Sequence, residues 1–305
     1  MTASGLSLTP GSRRGAEAMT VAALRGRSLW DDARNRLLRN RAAVASMFVL
    51  GLLVVLAIVG PHLTPYANDQ INKDDVWAPP LSGAHLLGAD SLGRDLLARL
   101  LIGLRVSLAI GVVATFVSLV IGVLWGAFAG FLGGRIDELM MRFVDVLYSL
   151  PFIFFVILLM VTFGRNFILI FLAIGAVEWL TMSRIVRGQT LSLKHKEFID
   201  AARVSGLSTQ AIIARHIIPN LLGPVVVYAT LTIPSVILAE SFLSFLGLGV
   251  QEPLTSLGVL IAKGAQDMEV APWLLIAPSA TMVATLMCFN FIGDGLRDAI
   301  DPKDR

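Results

Sequence analysis

The stretch Glu197–Asn220, EFIDAARVSGLSTQAIIARHIIPN, decides how this chain folds. It is polar and basic, and long apolar runs flank it on both sides. Ala201 and Ala202 are small enough to let another backbone come close. Gly206 can adopt the left-handed conformation that ends a helix. Ser208 or Thr209 can cap a following helix. Pro219 is expected to stop that helix just before the chain re-enters an apolar run. On residues alone this is a helical hairpin, either a plain amphipathic surface element or a docking one.

The surroundings of the hairpin set its context. The chain is 55% hydrophobic and 15% charged, with a mean hydropathy of +0.75. That balance belongs to an integral membrane protein. A membrane-crossing helix needs about 20 mostly apolar residues. Six such runs are predicted, near 42–60, 107–131, 144–163, 167–183, 221–245 and 273–293. Pro151, Pro224, Pro234, Gly122 and Gly126 fall inside them. Neighbouring helices can satisfy the backbone groups that such residues free. Alternating strand-like segments are absent, which argues against a barrel. Cys288 is the single cysteine, so no intrachain disulfide is expected, and it reads as a small apolar residue of the last span. The first apolar run follows about forty Arg-rich residues, and we read it as a retained span rather than a cleaved leader.

Charge gives an orientation. Arg13, Arg14, Arg25, Arg27, Arg34, Arg36, Arg39 and Arg41 precede the first span, opposed by Glu17, Asp31 and Asp32. The positive-inside rule then places the N-terminus in the cytoplasm, and six spans return the C-terminus there. The 184–219 loop falls inside and is rich in Arg and Lys. Residues 61–100 and 246–272 fall outside and carry more acid than base. The basic pI, near 9.3, is thus an orientation signal, and no nucleic-acid partner is expected.

Three further stretches stand in order around the hairpin. His85–Leu108, HLLGADSLGRDLLARLLIGLRVSL, reads as an amphipathic helix, with Leu96, Leu97, Leu100 and Leu101 at helical spacing. Arg94, Asp95 and Arg99 would lie on its other side, and Asp90 is the expected cap. Glu240–Gly249 reads ESFLSFLGLG, and Phe289–Arg305 reads FNFIGDGLRDAIDPKDR. Together with Asp200-Ala201-Ala202, Gly206 and Pro219, these resemble the permeases of ABC importers, whose loop of this pattern is called the EAA loop. Asp200 stands where the family usually has Glu. His216 and Ile218 stand where it usually has Ile and Leu, and the ending HIIPN looks like the dipeptide/oligopeptide (nickel) branch.

The resemblance implies an all-α type I permease with six transmembrane helices and a cytoplasmic coupling loop over 192–220. It divides the chain into an N-terminal tail (1–41), a first span (42–60) and an external segment with the amphipathic helix (61–104). A five-helix core (105–293) and a C-terminal tail (294–305) follow. It also implies partners: a homologous second permease, two ATP-binding subunits, an extracytoplasmic substrate-binding protein, and the lipid of a bacterial or archaeal cell (inner) membrane. Asp200, Ala201, Ala202, Gly206, His216 and Pro219 would couple the membrane part to the ATPase. The solute would be a di- or oligopeptide; nickel and glutathione-like compounds are the alternatives. ATP and Mg would sit on the partners, with no cofactor on this chain.

The residues agree that this chain is not itself an enzyme. No phosphate-cradling Gly-rich loop ending in Gly-Lys occurs. The four histidines lack metal-ligand spacing, and no Gly-x-Ser-x-Gly elbow is present. Acids inside spans are costly, at about 2.5–3.5 kcal/mol for a charge at mid-membrane on insertion scales. Glu240, with Ser241 and Ser244, could line the translocation path, although a buried carboxylate more often accepts bonds from neighbouring helices. Glu178 is expected to lean towards Arg184, and Asp145 to begin the third span. Trp30, Trp77, Trp179 and Trp273 are expected to anchor span ends, and Phe152, Phe154 and Phe155 to pack. An ion-driven secondary transporter would want paired mid-membrane acids, and a scaffold would want a soluble domain; neither is visible.

Overall fold

A computed structural model describes residues 29–164 and 167–300. The start of the N-terminal tail, with Arg13, Arg14, Arg25 and Arg27, the side chain of Trp30, and the last five residues lie outside the described part. Among the described residues there is no strand, only two isolated bridges, Ser82 with His85 and Ala89 with Asp95. The helices are α1 (Leu29–Arg39), α2 (Arg41–Val59), α3 (Leu96–Leu132), α4 (Gly134–Ser149), α5 (Phe152–Phe163), α6 (Phe167–Leu193), α7 (Glu197–Val204), α8 (Thr209–Ile212), α9 (Ile218–Phe245), α10 (Leu257–Gln266) and α11 (Trp273–Ile300).

Four helical stretches are each long and apolar enough to cross a membrane: Arg41–His62, Leu96–Leu132, Thr209–Phe245 and Trp273–Ile300. The expected third span, 144–163, is not one straight rod. It is α4 and α5, bent by 85° at Leu150-Pro151, where Pro151 precedes the first turn of α5. A proline there removes a backbone donor and clashes with the preceding turn, so the helix restarts in a new direction. Counted as one, the pair makes a fifth span. The fourth expected span, 167–183, corresponds to α6, 27 residues long, apolar up to Val177 and bearing Glu178, Arg184 and Arg187 beyond it.

The second expected span also starts earlier than its apolar run. α3 is one helix of 37 residues, about 55 Å at 1.5 Å per residue. It absorbs the amphipathic stretch and outruns a hydrocarbon layer of about 30 Å. Its cap is Asp95, whose Oδ2 accepts from Ala98 N at 2.7 Å, and not Asp90. Asp90 closes the preceding turn, its Oδ1 accepting from Leu92 N and Arg94 N. The charged side of this helix is buried: Arg94, Asp95 and Arg99 are 6%, 3% and 3% exposed. Arg94 donates to Asp90 at 2.8 Å and to Glu252 at 3.1 Å, and Arg99 donates to Asn68 O. The helix is thus locked to the loop before α10 and does not float at the lipid surface.

α3 and α6 pack along a stripe of glycines four residues apart. A Cβ at Gly122, Gly126 or Gly130 would lie 2.6 Å from Met182 Cβ, 2.4 Å from Ser183 O and 2.8 Å from Thr190 Cβ. Small residues at this spacing let two helix backbones touch where the surrounding solvent offers no hydrophobic drive. Trp179, expected at a span end, is instead 7% exposed and edge-on to Trp125, 5.4 Å between ring centres. Cys288 is buried in α11.

Candidate functional site

The hairpin over 197–220 has a defined construction. α7 ends in a Schellman turn: Leu207 N–H donates to Ala202 O at 3.2 Å and Gly206 N–H to Arg203 O at 3.0 Å. Gly206 supplies the left-handed residue that this turn requires, with φ +79. Ser208 caps α8, its Oγ accepting from Ala211 N at 3.3 Å. Beyond α8 the chain makes a π turn, Ile213–Ile217, closed by Ile218 N–H to Ile213 O.

Pro219 does not end the helix, contrary to expectation. Helix continues through it to Phe245. The reason lies in the π turn, whose wider i to i+5 ring shifts the preceding carbonyls, as a proline without an N–H and with a bulky ring requires. His216, half-buried in that turn, has its carbonyl accept from Asn220 Nδ2 at 2.7 Å.

One face of the hairpin is bolted to the membrane helices. Ile199, Ala202, Ile212, Ile213, Ile217 and Leu221 are buried with Ala127 and Phe131 of α3 and Met182 and Val186 of α6. The other face is open. Asp200 and Ala201 are exposed, Phe198 is 41% exposed and Val204 is 90% exposed. Ala202, expected to meet another backbone, is buried against its own chain. The six residues singled out therefore divide: Asp200 and Ala201 point outward, Ala202 packs beneath, and Gly206, His216 and Pro219 shape the bends. Val204 was missed because a lone Val in a short helix gives no signal until the burial of its neighbours is known.

Braces flank the hairpin. Arg187 on α6 grips Asp137 on α4 with two bonds, 2.6 and 2.7 Å. Lys194 donates to Gly130 O at 3.1 Å. Asp145 lies near the end of α4 and pairs with Arg184 at 2.7 Å, so it does not begin a span. That guanidinium also lies over the Tyr148 ring, 4.2 Å from its centre. Glu178 consequently has no share in Arg184.

The acid predicted for the path sits inside the protein. Glu240 is fully buried. Its Oε1 accepts from Ser244 Oγ at 2.6 Å and Ser256 Oγ at 2.7 Å. Ser107 Oγ accepts from Leu257 N at 3.0 Å beside them, so the cluster joins α3, α9 and α10. Ser241 donates to Ile237 O of its own helix at 2.8 Å. Glu240 and Ser244 are thus brought together as a knot between helices, with Ser241 apart from it.

Away from the hairpin, residues 63–95 hold a charged cluster. The imidazole of His85 is 2% exposed. Its Nδ1 faces Asp95 Oδ1 at 2.8 Å and its Nε2 faces Asp75 Oδ2 at 3.2 Å, while Tyr66 stacks on it at 4.5 Å. Burial pulls its pKa down, but hydrogen bonds to the two carboxylates overcome this and raise it above 6.5. Lys263 and then Arg94 hold Glu252 down to about 2.

Residues 122–305 match the family model described as binding-protein-dependent transport system inner membrane component. Residues 28–80 match the N-terminal TM domain of oligopeptide transport permease C. The chain is 58% identical to the oligopeptide transport system permease protein OppC of Escherichia coli K12, over 92% of this chain and 93% of that one. It is 55% identical to OppC of Haemophilus influenzae, over 92% and 91%, and 43% identical to the dipeptide permease DppC of Bacillus subtilis, over 91% and 87%. Among solved structures it is similar to the inward-facing MetNI methionine ABC transporter, with TM-score 0.53 and 21% identity over 66% of this chain and 96% of that one. At that identity the likeness bears on the fold.

Proposed function

The chain belongs to the family of binding-protein-dependent transport system inner membrane components and is the permease subunit of an ABC importer; from that premise we propose that it carries di- and oligopeptides. The OppC and DppC names of its relatives support this solute. In this reading a homologous second permease completes the path, two ATP-binding subunits sit on the hairpin side, and a binding protein delivers solute from the opposite side. ATP and Mg belong to those subunits, and this chain performs no chemistry on ATP. Both termini and the hairpin lie in the cytoplasm, as the arginine bias suggests.

The observation that carries the coupling role is the two-faced hairpin: an apolar underside fused to α3 and α6, and an outer face with Val204 and Phe198 left in the open. Exposed apolar side chains on a charged element suit a protein partner. Asp200, Ala201, Phe198 and Val204 form the contact, while Ala202 and the Gly206 turn keep it stiff. Closure of the ATPases then pushes the hairpin, and the fused helices move with it and change which side the path opens to.

Reconstituted importer tests this. Val204→Glu adds a charge to the outer face without entering the core, and Gly206→Glu strains the turn at φ +79. Both should cut peptide uptake by about tenfold or more while ATP hydrolysis persists, since a buried unpaired charge at a contact costs several kcal/mol. Uptake unchanged by both substitutions refutes the docking role.

A further inference from the structure

We propose that Glu178 is the anchor for a primary ammonium group of the passing solute, in a cavity midway along α6. The inference rests on the peptide-importer reading and deepens it by assigning a residue to the path. The cavity, of about 450 Å³, lies between the α4–α5 bend, α6 and α9. Its wall is mostly apolar, including Leu147, Leu150 and Phe155. Three polar side chains reach it, Tyr148, Thr181 and Glu178, and Glu178 is the single ionisable acid among the lining residues. A space of this size falls in the range of small-molecule sites and accommodates a short peptide.

Glu178 lies eleven residues into α6, about 17 Å along it at 1.5 Å per residue, inside the expected fourth span, 167–183. It makes no hydrogen bond or ion pair among the described residues. The bases nearby are committed elsewhere, Arg184 to Asp145 and Tyr148 and Arg187 to Asp137. Arg184 is also six residues on, well round the helix from Glu178, outside the three- and four-residue spacings at which helix side chains meet. The contrast with Glu240 is one of access: two serines donate to its Oε1, its Oε2 is buried without a partner among the described residues, and it is enclosed on every side. Glu178 instead presents an uncompensated carboxylate to an apolar chamber. Intramembrane acids in that situation mark solute and ion routes, and the Phe155 ring in the same wall adds a π-system that attracts a cation. Every unblocked peptide brings one such cation in its terminal ammonium.

Complete importer, with its partner subunits and binding protein, is reconstituted with this chain as Cys288→Ser and Thr181→Cys. The thiol at 181 is then labelled with a trimethylammonium-ethyl or a sulfonatoethyl methanethiosulfonate, read by the mass of this subunit and normalised to each reagent's rate with 2-mercaptoethanol. The cationic reagent should be favoured by about tenfold, and Glu178→Gln should abolish the preference while Glu178→Asp keeps it. Leu150→Cys carries the same probe if the 181 variant fails to insert. In parallel, KM for trialanine and for Ala-Lys-Ala is measured in Glu178→Gln importer. A rise of about tenfold for both peptides assigns the terminal ammonium; a rise for Ala-Lys-Ala alone assigns the lysine side chain. Equal labelling by the two reagents with Glu178 present, or wild-type KM for both peptides in Glu178→Gln, overturns the site. If wild-type importer moves neither peptide but the labelling preference holds, the peptide reading has failed and the cation site has not.

Discussion

Two ionisable residues on either side of the α3 entrance give the long loop a working pH window. His85 lies between Asp75 and Asp95, and hydrogen bonds to the two carboxylates outweigh its burial and raise its pKa from the usual 6.5. Its contribution to stability is therefore complete below 6.5 and is lost as pH rises through the raised value. Glu252 runs the other way: with a folded pKa of about 2 against an ordinary 4.5, its contribution is present above 4.5 and lost as pH falls towards 2. Stability should be flat between these limits. Thermal melts of purified chain should put His85→Gln about 2–4 °C below wild type at pH 6, with the gap narrowing above pH 7. Glu252→Gln should show a smaller gap, because its carboxylate is half exposed and surface pairs contribute little, and that gap should close below pH 4.5. A His85 gap that widens with rising pH contradicts the assignment. Neither residue was legible beforehand. His85 and Asp95 are ten apart in sequence, and only the turn closed by Asp90 brings them together.

At the scale of elements, the glycine stripe of α3 decides how two long helices join. Gly126→Ala would place a methyl 2.4 Å from Ser183 O, and backbone cannot yield as a side chain end can. A loss of about 1–3 kcal/mol is expected. Gly188→Ala on α6 is the control, since nothing lies within 4 Å of its added carbon, and it should gain about 0.5–1 kcal/mol from helix propensity. Melting of the two variants in detergent measures both signs; a harmless Gly126→Ala would mean the helices are not in contact there. The sequence made the helices themselves visible, because unbroken apolar length is a strong signal. It also made the hairpin's turn visible at Gly206 and its cap at Ser208. It misjudged Pro219, because a π turn leaves no residue-level mark, and it split α3 in two, because the charges of Arg94, Asp95 and Arg99 read as a wet surface when they are paired and buried. It also joined Glu178 to Arg184 on closeness in sequence, where a turn of helix sets them apart and Asp145, distant in sequence, takes the arginine.

At the scale of the whole molecule, the arginine bias and the hairpin make one joint statement about sidedness. A reporter that fluoresces only in the cytoplasm should light up when fused to either end of the chain, and an export-dependent phosphatase inserted after Asn68 should be active. The reverse pattern would put the hairpin on the wrong side for any nucleotide-driven partner. The glycine stripe has a mechanical corollary here. Two rods meshed without clearance over Gly122, Gly126 and Gly130 have no freedom to swivel or slide on each other, so a push on the hairpin travels along them undiminished. Give must then come from the elbow at Leu150-Pro151, where the chain already turns through 85°. That elbow forms one wall of the Glu178 chamber, so the stroke would squeeze or widen the chamber itself.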